Sequence, residues 1–452
     1  MRTILILLLT LLSFNAYSDW LASLYAYENK NYPAAKAGFQ ELLPLGNADA
    51  AFNLGVMAYY GEGQQVNITE ALQFFLLAEK LQHDQVASIV KRIYQEADTE
   101  QRALAESAAA TAFAKIIIKQ NSAPYQLSME PGPMQISAPM PDIPDDVSRK
   151  HPFGYIVVQF VVNGDGKVQV VDAVDGFPEG AFDSYTYRAM RRWQFEATGK
   201  PHLLSKQLNF WVTGSMNARS ANQVLHHQNL WAHAQIGSGK HQEMLGSVLN
   251  LIEMVSGALV YVAERSVESE IKPDVSEWFS TKKQEIVLPS LDGVAHVQTN
   301  ERGVIVRLLN VDQLKQPEPE KLMGVRISGA GEGLFRLSNS VTQGRSFSRV
   351  NKKELILVKQ YVPVNEELTS LYWWKKAAVN GDRRAQRILG AQRQDWQFYL
   401  LQQGDPVATA WHGARLILDG ERSEGQALLQ QAAAAGYSQA TELLQALSAE
   451  GV

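Results

Sequence analysis

Residues 154–195 read GYIVVQFVVNGDGKVQVVDAVDGFPEGAFDSYTYRAMRRWQF. Ile156, Val158, Phe160 and Val162 alternate with the residues between them, so an extended segment here has one continuous apolar face. Asn163-Gly164-Asp165-Gly166 follows, and Asn-Gly and Asp-Gly supply the positive φ of a tight hairpin. A second alternating run returns through Val168, Val170 and Val174. Asp172 interrupts that face and marks a bulge or the strand's exposed end. The period then lengthens: Phe182, Thr186, Ala189 and Trp193 fall on one helical stripe, with Tyr185 beside it. Asp183 lies near the start of that helix and Arg188, Arg191 and Arg192 near its end, the order the helix dipole favours. Leu208, Phe210 and Val212 alternate once more. The predicted unit is strand, strand, helix, strand. If Leu208, Phe210 and Val212 face inward, Gln207, Asn209, Trp211 and Thr213 face outward. An outward Trp211 is either a partner contact or is covered by the helical region that follows.

This pattern resembles the C-terminal domain of the TonB family. The matching residues are Gly154 ahead of the first strand, Asp165 and Gly166 in the hairpin, Phe182 and Asp183 at the helix start, and Ala189, Trp193 and Phe195 at its end. The proline that often follows the family's Trp-x-Phe tail is absent, since Glu196-Ala197 stands there. Ile143-Pro144 and His151-Pro152 only approximate the family's tyrosine-proline ahead of the first strand. The resemblance spans residues 141–214. It implies a third strand with a free edge that captures an extended segment of an outer-membrane TonB-dependent receptor by strand addition. Carried over, that edge is Gln207, Leu208, Asn209, Phe210, Trp211, Val212 and Thr213.

The chain has 452 residues, enough for about three domains, and its 46% hydrophobic and 20% charged residues are globular in composition. A net charge of −5 gives no electrostatic case for nucleic acid. Cysteine is absent, which excludes disulfides, thiolate metal sites and cysteine nucleophiles. At the N-terminus Arg2 precedes Ile4-Leu5-Ile6-Leu7-Leu8-Leu9 and Leu11-Leu12, and Ala16 and Ser18 are small residues at the positions a signal peptidase reads. The apolar run is short against the ~20 residues of a spanning helix. A secretory signal cleaved before Asp19 is the expectation, with an uncleaved inner-membrane anchor as the alternative. Together with the TonB resemblance this implies the periplasm of a Gram-negative bacterium.

Residues 19–120 read as helices. Leu54, Gly55, Tyr59, Gly61, Gly63, Ala71 and Ala78 recur at the spacing of a helix pair: Gly55 and Ala71 permit close approach, and Gly61 and Gly63 form the turn. This resembles the Sel-one-like repeat, a relative of the tetratricopeptide repeat, whose units stack into solenoids. The family's turn aspartate is replaced by Asn67. A second copy follows Glu366, with Trp374, Ala377, Ala378, Gly381, Ala385, Leu389 and Gly390, and a looser one spans Trp411 to Leu444. Repeats at both ends form either two blocks or one solenoid interrupted by insertions.

Between these lie a proline-rich linker, residues 121–144, a helical region, residues 215–270, and a β-rich region, residues 271–362. The linker would reach ~70 Å as polyproline at about 3.1 Å per residue. In the helical region Val248, Ile252, Val255, Leu259 and Val262 predict a buried helix over Leu245–Ala263. Strand candidates in the β-rich region are Glu285–Leu288, Val294–Val297, Val304–Leu308 and Leu355–Val358.

Sites of chemistry are sparse. Gly237-Ser238-Gly239-Lys240 lacks the glycine and the Ser/Thr of a phosphate loop, with Ala234 and His241 in their places. His226, His227, His233 and His241 are too far apart along one helix to share an ion, about 10 to 12 Å at spacings of seven or eight. Asp145-Asp146 and Glu366-Glu367 sit where acids cap or are solvated. No catalytic set, metal site or cofactor is predicted.

The expected architecture is α+β and multidomain: helical repeat (α-solenoid) segments, residues 19–120 and 363–452, flank a TonB-like β-β-α-β domain, residues 145–214, and a small antiparallel β domain. The expected activity is non-enzymatic protein binding, tied through the resemblance to TonB-dependent transport. A periplasmic scaffold built on the repeats, without energy transduction, is the alternative. The segment 1–18 lacks the histidine-bearing anchor helix of the family, which favours the scaffold. The partners in either case are proteins or extended peptide segments.

Overall fold

The computed structural model describes residues 19–118, 132–211, 217–256, 259–262, 274–276, 294–300, 304–308, 331–337, 355–357, 361–391 and 393–449. The signal segment 1–18, Val212 and Thr213, and the strand candidate Glu285–Leu288 lie outside them. The fold is mixed α+β, largely helical, with small antiparallel sheets. Among the described residues no helix is long and apolar enough to cross a membrane. The chain divides into two compact units: Met1–Val212 with His227–Val248 and Leu371–Val452, and Thr213–His226 with Leu249–Ser370.

The first unit begins with six helices: α1 (Trp20–Glu28), α2 (Tyr32–Leu42), α3 (Ala48–Tyr60), α4 (Ile68–Lys80), α5 (Val86–Glu96) and α6 (Thr99–Ala114). Their starts follow from short polar side chains. Asp19, Asn47 and Asn67 each accept a backbone N–H of the first turn, and Asp98 with Gln101 forms a full capping box. Gly55 sits where a Cβ would come 2.9 Å from the Phe75 ring, so α3 and α4 approach at Gly55 through that ring. Further along the chain come α12 (Ser370–Val379), α13 (Arg383–Gly390), α14 (Gln394–Gln402), α15 (Pro406–Leu418), α16 (Arg422–Ala434) and α17 (Ser438–Ala449). Trp374, Ala377, Ala378, Ala385, Leu389 and Trp396 join the same apolar core as Phe39, Leu54, Phe75 and Leu77. The N-terminal and C-terminal helices of this unit therefore share one hydrophobic interior.

A polar knot ties that junction. Asn47 Nδ2 donates to Val379 O at 3.1 Å and to Asn380 Oδ1 at 3.0 Å. Asn380 Nδ2 donates to Gln242 Oε1 at 2.9 Å and to Gly237 O at 3.3 Å, and Asn380 O accepts from Trp20 N. Both asparagines are buried.

The stretch around Gly237 repeats the stretch around Gly381 bond for bond. Here α10 (Leu230–Gln235) turns into α11 (Gly239–Ser256), as α12 turns into α13. Gly237 and Gly381 have φ of 95° and 96°. Gly237 N bonds Ala234 O and Ser238 N bonds His233 O; Gly381 N bonds Ala378 O and Asp382 N bonds Ala377 O. Both are Schellman closures, which need a left-handed residue at the first position past the helix. Gln242 Nε2 then reaches back to Ala234 O, as Gln386 Nε2 reaches back to Ala378 O. The glycine–serine–glycine–lysine motif is thus a helix-pair turn.

The sheet of this unit is β2 (Phe153–Val162), β3 (Val168–Phe177) and β5 (His202–Trp211), in the order β3-β2-β5, with α8 (Asp183–Met190) between β3 and β5. Both ladders are antiparallel. Gly166 closes the hairpin with φ 81°, and a Cβ there would lie 2.1 Å from Phe195 O, so only glycine fits. Ile156, Val158, Phe160, Val162, Met190, Trp193 and Phe195 form one core on the α8 side. The opposite side of β2 is buried as well: Val161 packs with Val170, Trp411, Ala414, Ile417 and Leu443.

Two readings of β3 change. The register shifts between Phe160/Val162 and between Val157/Val158. The first shift turns Val168 toward α8 and Val170 toward the opposite face, so they do not share a face. Asp172 is neither exposed nor at a strand end. It is buried, and its Oδ2 accepts from Trp411 Nε1 at 2.9 Å and from the Tyr437 hydroxyl.

Part of the proline-rich stretch also joins this body. There β1 (Gln135–Ser137) pairs with β4 (Gln194–Phe195), and Pro139 O accepts Trp193 Nε1 at 3.0 Å. The described part of this stretch is thus held on β4 and α8's end rather than being a free spacer, and Pro139 O supplies the acceptor that the buried Trp193 N–H needs.

In the second unit β7 (Val294–Thr299), β8 (Ile305–Leu308), β9 (Gly331–Leu337) and β10 (Leu355–Leu357) form an antiparallel sheet in the order β10-β9-β7-β8. The helix expected over Leu245–Ala263 stops at Ser256. Leu259–Val262 is a strand, β6, parallel to β11 (Tyr361–Val364). A β-branched and aromatic run after Ser256-Gly257 favours extension over helix. The same unit contains α9 (Ala218–His226), whose Asn222 side chain holds Val275 N and Asp274.

Candidate functional site

The two edges of the three-stranded sheet differ. On β3, Ala173 N donates to the Tyr187 hydroxyl at 2.9 Å, and Gly176 O accepts from Arg384. Helices α13 and α17 also pack against β3. Among the described residues β5 pairs only with β2. No second described strand lies along its other edge, the kind of position at which strand addition takes place.

Strand β5 starts at His202, five residues ahead of the expected Gln207. Its first half escapes an apolar-alternation reading because Ser205 and Lys206 are both exposed. Leu208 is buried opposite Ile156, and Phe210 stacks on Phe182 with ring centroids 4.5 Å apart. Gln207 and Asn209 lie on the other face, linked by a 3.1 Å hydrogen bond between their side chains. Trp211 is 50% exposed, opposite Phe153. The outward-facing tryptophan therefore remains open to contact at the end of the edge.

Behind the sheet lies a cluster that the sequence reading missed. Arg384, on the first turn of α13, bonds Asp175 Oδ1 at 3.0 Å and lies 3.2 Å from Glu179 and 3.4 Å from Glu243. Tyr155 OH donates to Asp175 Oδ2 at 2.9 Å. Ser247 Oγ donates to Glu243 Oε1 at 2.9 Å. Burial pushes the Glu243 carboxyl up to about 7, against the pull of Arg384 and with further push from Asp175 and Asp382. The available signal was the paired Ala-x-x-Gly and Gln-x-x-Leu-Gly spacing after Ala234 and Ala378, which places Glu243 on a buried helix face.

Other predicted residues fall as follows. Gly154, Gly166, Phe182, Ala189, Trp193 and Phe195 are buried around the hairpin and α8, Asp183 opens α8 half-buried, and Asp165 is exposed at the turn. Leu54, Ala71 and Ala78 are buried, Tyr59 donates to Glu96, and Gly61 and Gly63 carry positive φ in the turn. Gly390 borders Leu400. His233 and His241 meet, with ring centroids 4.6 Å apart, because the turn at Gly237 breaks the single helix on which they were measured. Among the described residues no group of three or more such ligands is placed to hold a metal ion. Comparison with known proteins finds no matching family model and no similar curated protein.

Proposed function

We propose that this chain is a non-enzymatic, periplasmic protein-binding protein that captures an extended segment of another protein along the outer edge of β5, and that this capture serves TonB-dependent transport at the outer membrane. The observation that carries the reading is the difference between the two sheet edges: on β3 Tyr187 and Arg384 take backbone groups, whereas among the described residues no strand other than β2 pairs with β5. Strand addition draws its affinity from main-chain hydrogen bonds and its selectivity from alternate side chains, here Leu204, Lys206 and Leu208 on one face and Ser205, Gln207 and Asn209 on the other. Trp211 supplies an exposed aromatic anchor at the strand's end.

The absence of cysteine makes a direct test possible. Ser205→Cys in the full chain is mixed, under oxidising exchange, with a peptide copying the extended N-terminal segment of a TonB-dependent receptor and carrying one cysteine. A disulfide at Ser205→Cys, with none at a Ser107→Cys control, is the expected result. Equal trapping at both positions, or no binding at millimolar peptide, overturns strand addition.

A second reading has its own support. Helices from both ends of the chain share one core from Trp20 to Tyr399, and read as stacked Sel-one-like repeats they would suit a scaffold that assembles envelope proteins. Binding of folded envelope proteins that survives Trp211→Ala favours that reading.

A further inference from the structure

We propose that the Arg384 cluster is an acid-tightened clasp, in which protonation of Glu243 strengthens the hold of α11 and α13 on strand β3. The geometry is that of one cation shared among too many anions. Arg384 makes its shortest carboxylate contact to Asp175, which it holds through both Nε and Nη2, and bonds Gly176 O as well. Glu243, at 3.4 Å, is its most distant carboxylate partner and is itself 4% exposed. Glu179 completes the set from an exposed position.

Among the described residues, charged and polar groups face Glu243 from several elements. From α13 and its cap come Arg384 and Asp382; from β3, Asp175; from β2, the Tyr155 hydroxyl; and from α11 itself, Ser247. Ser247 also accepts Trp374 Nε1 at 3.4 Å. Glu179 and Asp183 act through Arg384. Two anions beside Glu243 therefore compete for one guanidinium in a water-poor setting. A neutral Glu243 leaves Arg384 to Asp175 and the exposed Glu179, removes the repulsion and costs no buried charge on Glu243.

Opening the clasp returns Glu243 to water and to its ordinary carboxyl value of 4.5, whereas in the closed state it sits at about 7. A value raised by closure means that the closed state binds the proton more tightly. The extra hold is fully present below the ordinary value and is lost as pH rises through about 7. Between pH 6 and pH 8 the opening equilibrium constant should rise about tenfold.

The test is hydrogen–deuterium exchange of the full-length protein, read over Val168–Phe177 and corrected for intrinsic exchange. Protection about tenfold higher at pH 6 than at pH 8 is expected. Glu243→Gln, which keeps volume and the Ser247 bond, should hold protection constant within about twofold across that range. Glu179→Gln, on the exposed partner, should leave the pH response in place. Ser247→Ala removes a donor to the charged form and should move the midpoint upward. A flat or reversed wild-type response, or a tenfold response surviving Glu243→Gln, overturns the clasp. Should Glu243→Gln not fold, an unmoved midpoint in Ser247→Ala does so instead.

Discussion

Asn47 and Asn380 are 333 residues apart in sequence and share one buried hydrogen bond. If the N-terminal and C-terminal helices are one folded body, breaking this bond from either side must weaken the same unfolding transition. Asn380→Ala leaves Gln242 Oε1 and Gly237 O without their donor and takes one of two acceptors from Asn47 Nδ2. A buried polar group left unsatisfied costs about 1–3 kcal/mol, and Asn47 keeps Val379 O, so the expected loss is about 3 kcal/mol. Asn47→Ala removes the cap on Ala50 N, worth about 1 kcal/mol, and takes the donor from Asn380 Oδ1 and Val379 O, for about 3–4 kcal/mol in all. The shared bond can be lost only once. The double variant should therefore fall short of the sum of the singles by about 1–2 kcal/mol. Urea unfolding with an unchanged m-value reads each term as a shift in midpoint. Additivity within about 0.3 kcal/mol, or Asn47→Ala acting on a transition that Asn380→Ala does not touch, would refute the single shared core.

Three further substitutions probe other parts of the unit. Gly425→Ala forces a Cβ to 2.5 Å from Gly413 O, between α15 and α16, where backbone cannot give way as a side chain would; a loss of about 1–3 kcal/mol in urea is expected, and a neutral result would deny that contact. Asp172→Ala strips the acceptor from both Trp411 Nε1 and the Tyr437 hydroxyl and should cost about 2–4 kcal/mol, with a change in tryptophan emission; a loss under 0.5 kcal/mol would place Asp172 in water after all. His241 is held below the ordinary histidine value, first by burial and then by His233 and Lys240. Its contribution is therefore present above about pH 6.5 and is lost as pH falls through the folded value. His241→Gln should flatten the acid limb of a stability–pH curve, and identical limbs would remove histidine from its cause.

The local chemistry of the hairpin and of the helix starts was legible in the sequence. Asn163, Gly164, Asp165 and Gly166 predicted a tight turn, and the structure makes one, because a left-handed residue pressed against Phe195 O has a single solution. Of the stripe from Phe182 to Trp193, Thr186 and Ala189 become the buried face of α8, while Phe182 caps the helix and Trp193 is buried just past its end. What stayed hidden depended on partners far away in sequence. Asp172 reads as a blemish on a strand until Trp411 and Tyr437 arrive. Val168 and Val170 read as one face until a register shift separates them. His233 and His241 read as distant until Gly237 turns the chain between them. The run after Ser256 kept a helical period by coincidence, and strand pairing with Tyr361–Val364 overrode it.

The clasp and the open edge are consequences of one arrangement. Covering the odd-numbered face of β2 with the C-terminal helices brings Val161 against Trp411 and Tyr155 against the Asp175–Arg384 pair, and in doing so occupies backbone groups on the outer edge of β3. A sheet with two open edges would let an incoming strand pair on either side and in more than one register. Closing one leaves β5 as the sole described edge, with Leu208 and Phe210 pinned to the core beneath it. Lys206 stands exposed in the middle of that edge, opposite Val158. A second copy of the chain added antiparallel about this position would set lysine against lysine, a like-charge pair that sheets disfavour. A foreign segment bears no such penalty. Under the proposed strand addition, this edge chemistry would favour a partner of different sequence over a second copy in that register, and the groups that occupy the β3 edge, rather than β5 itself, would decide which edge such a partner meets.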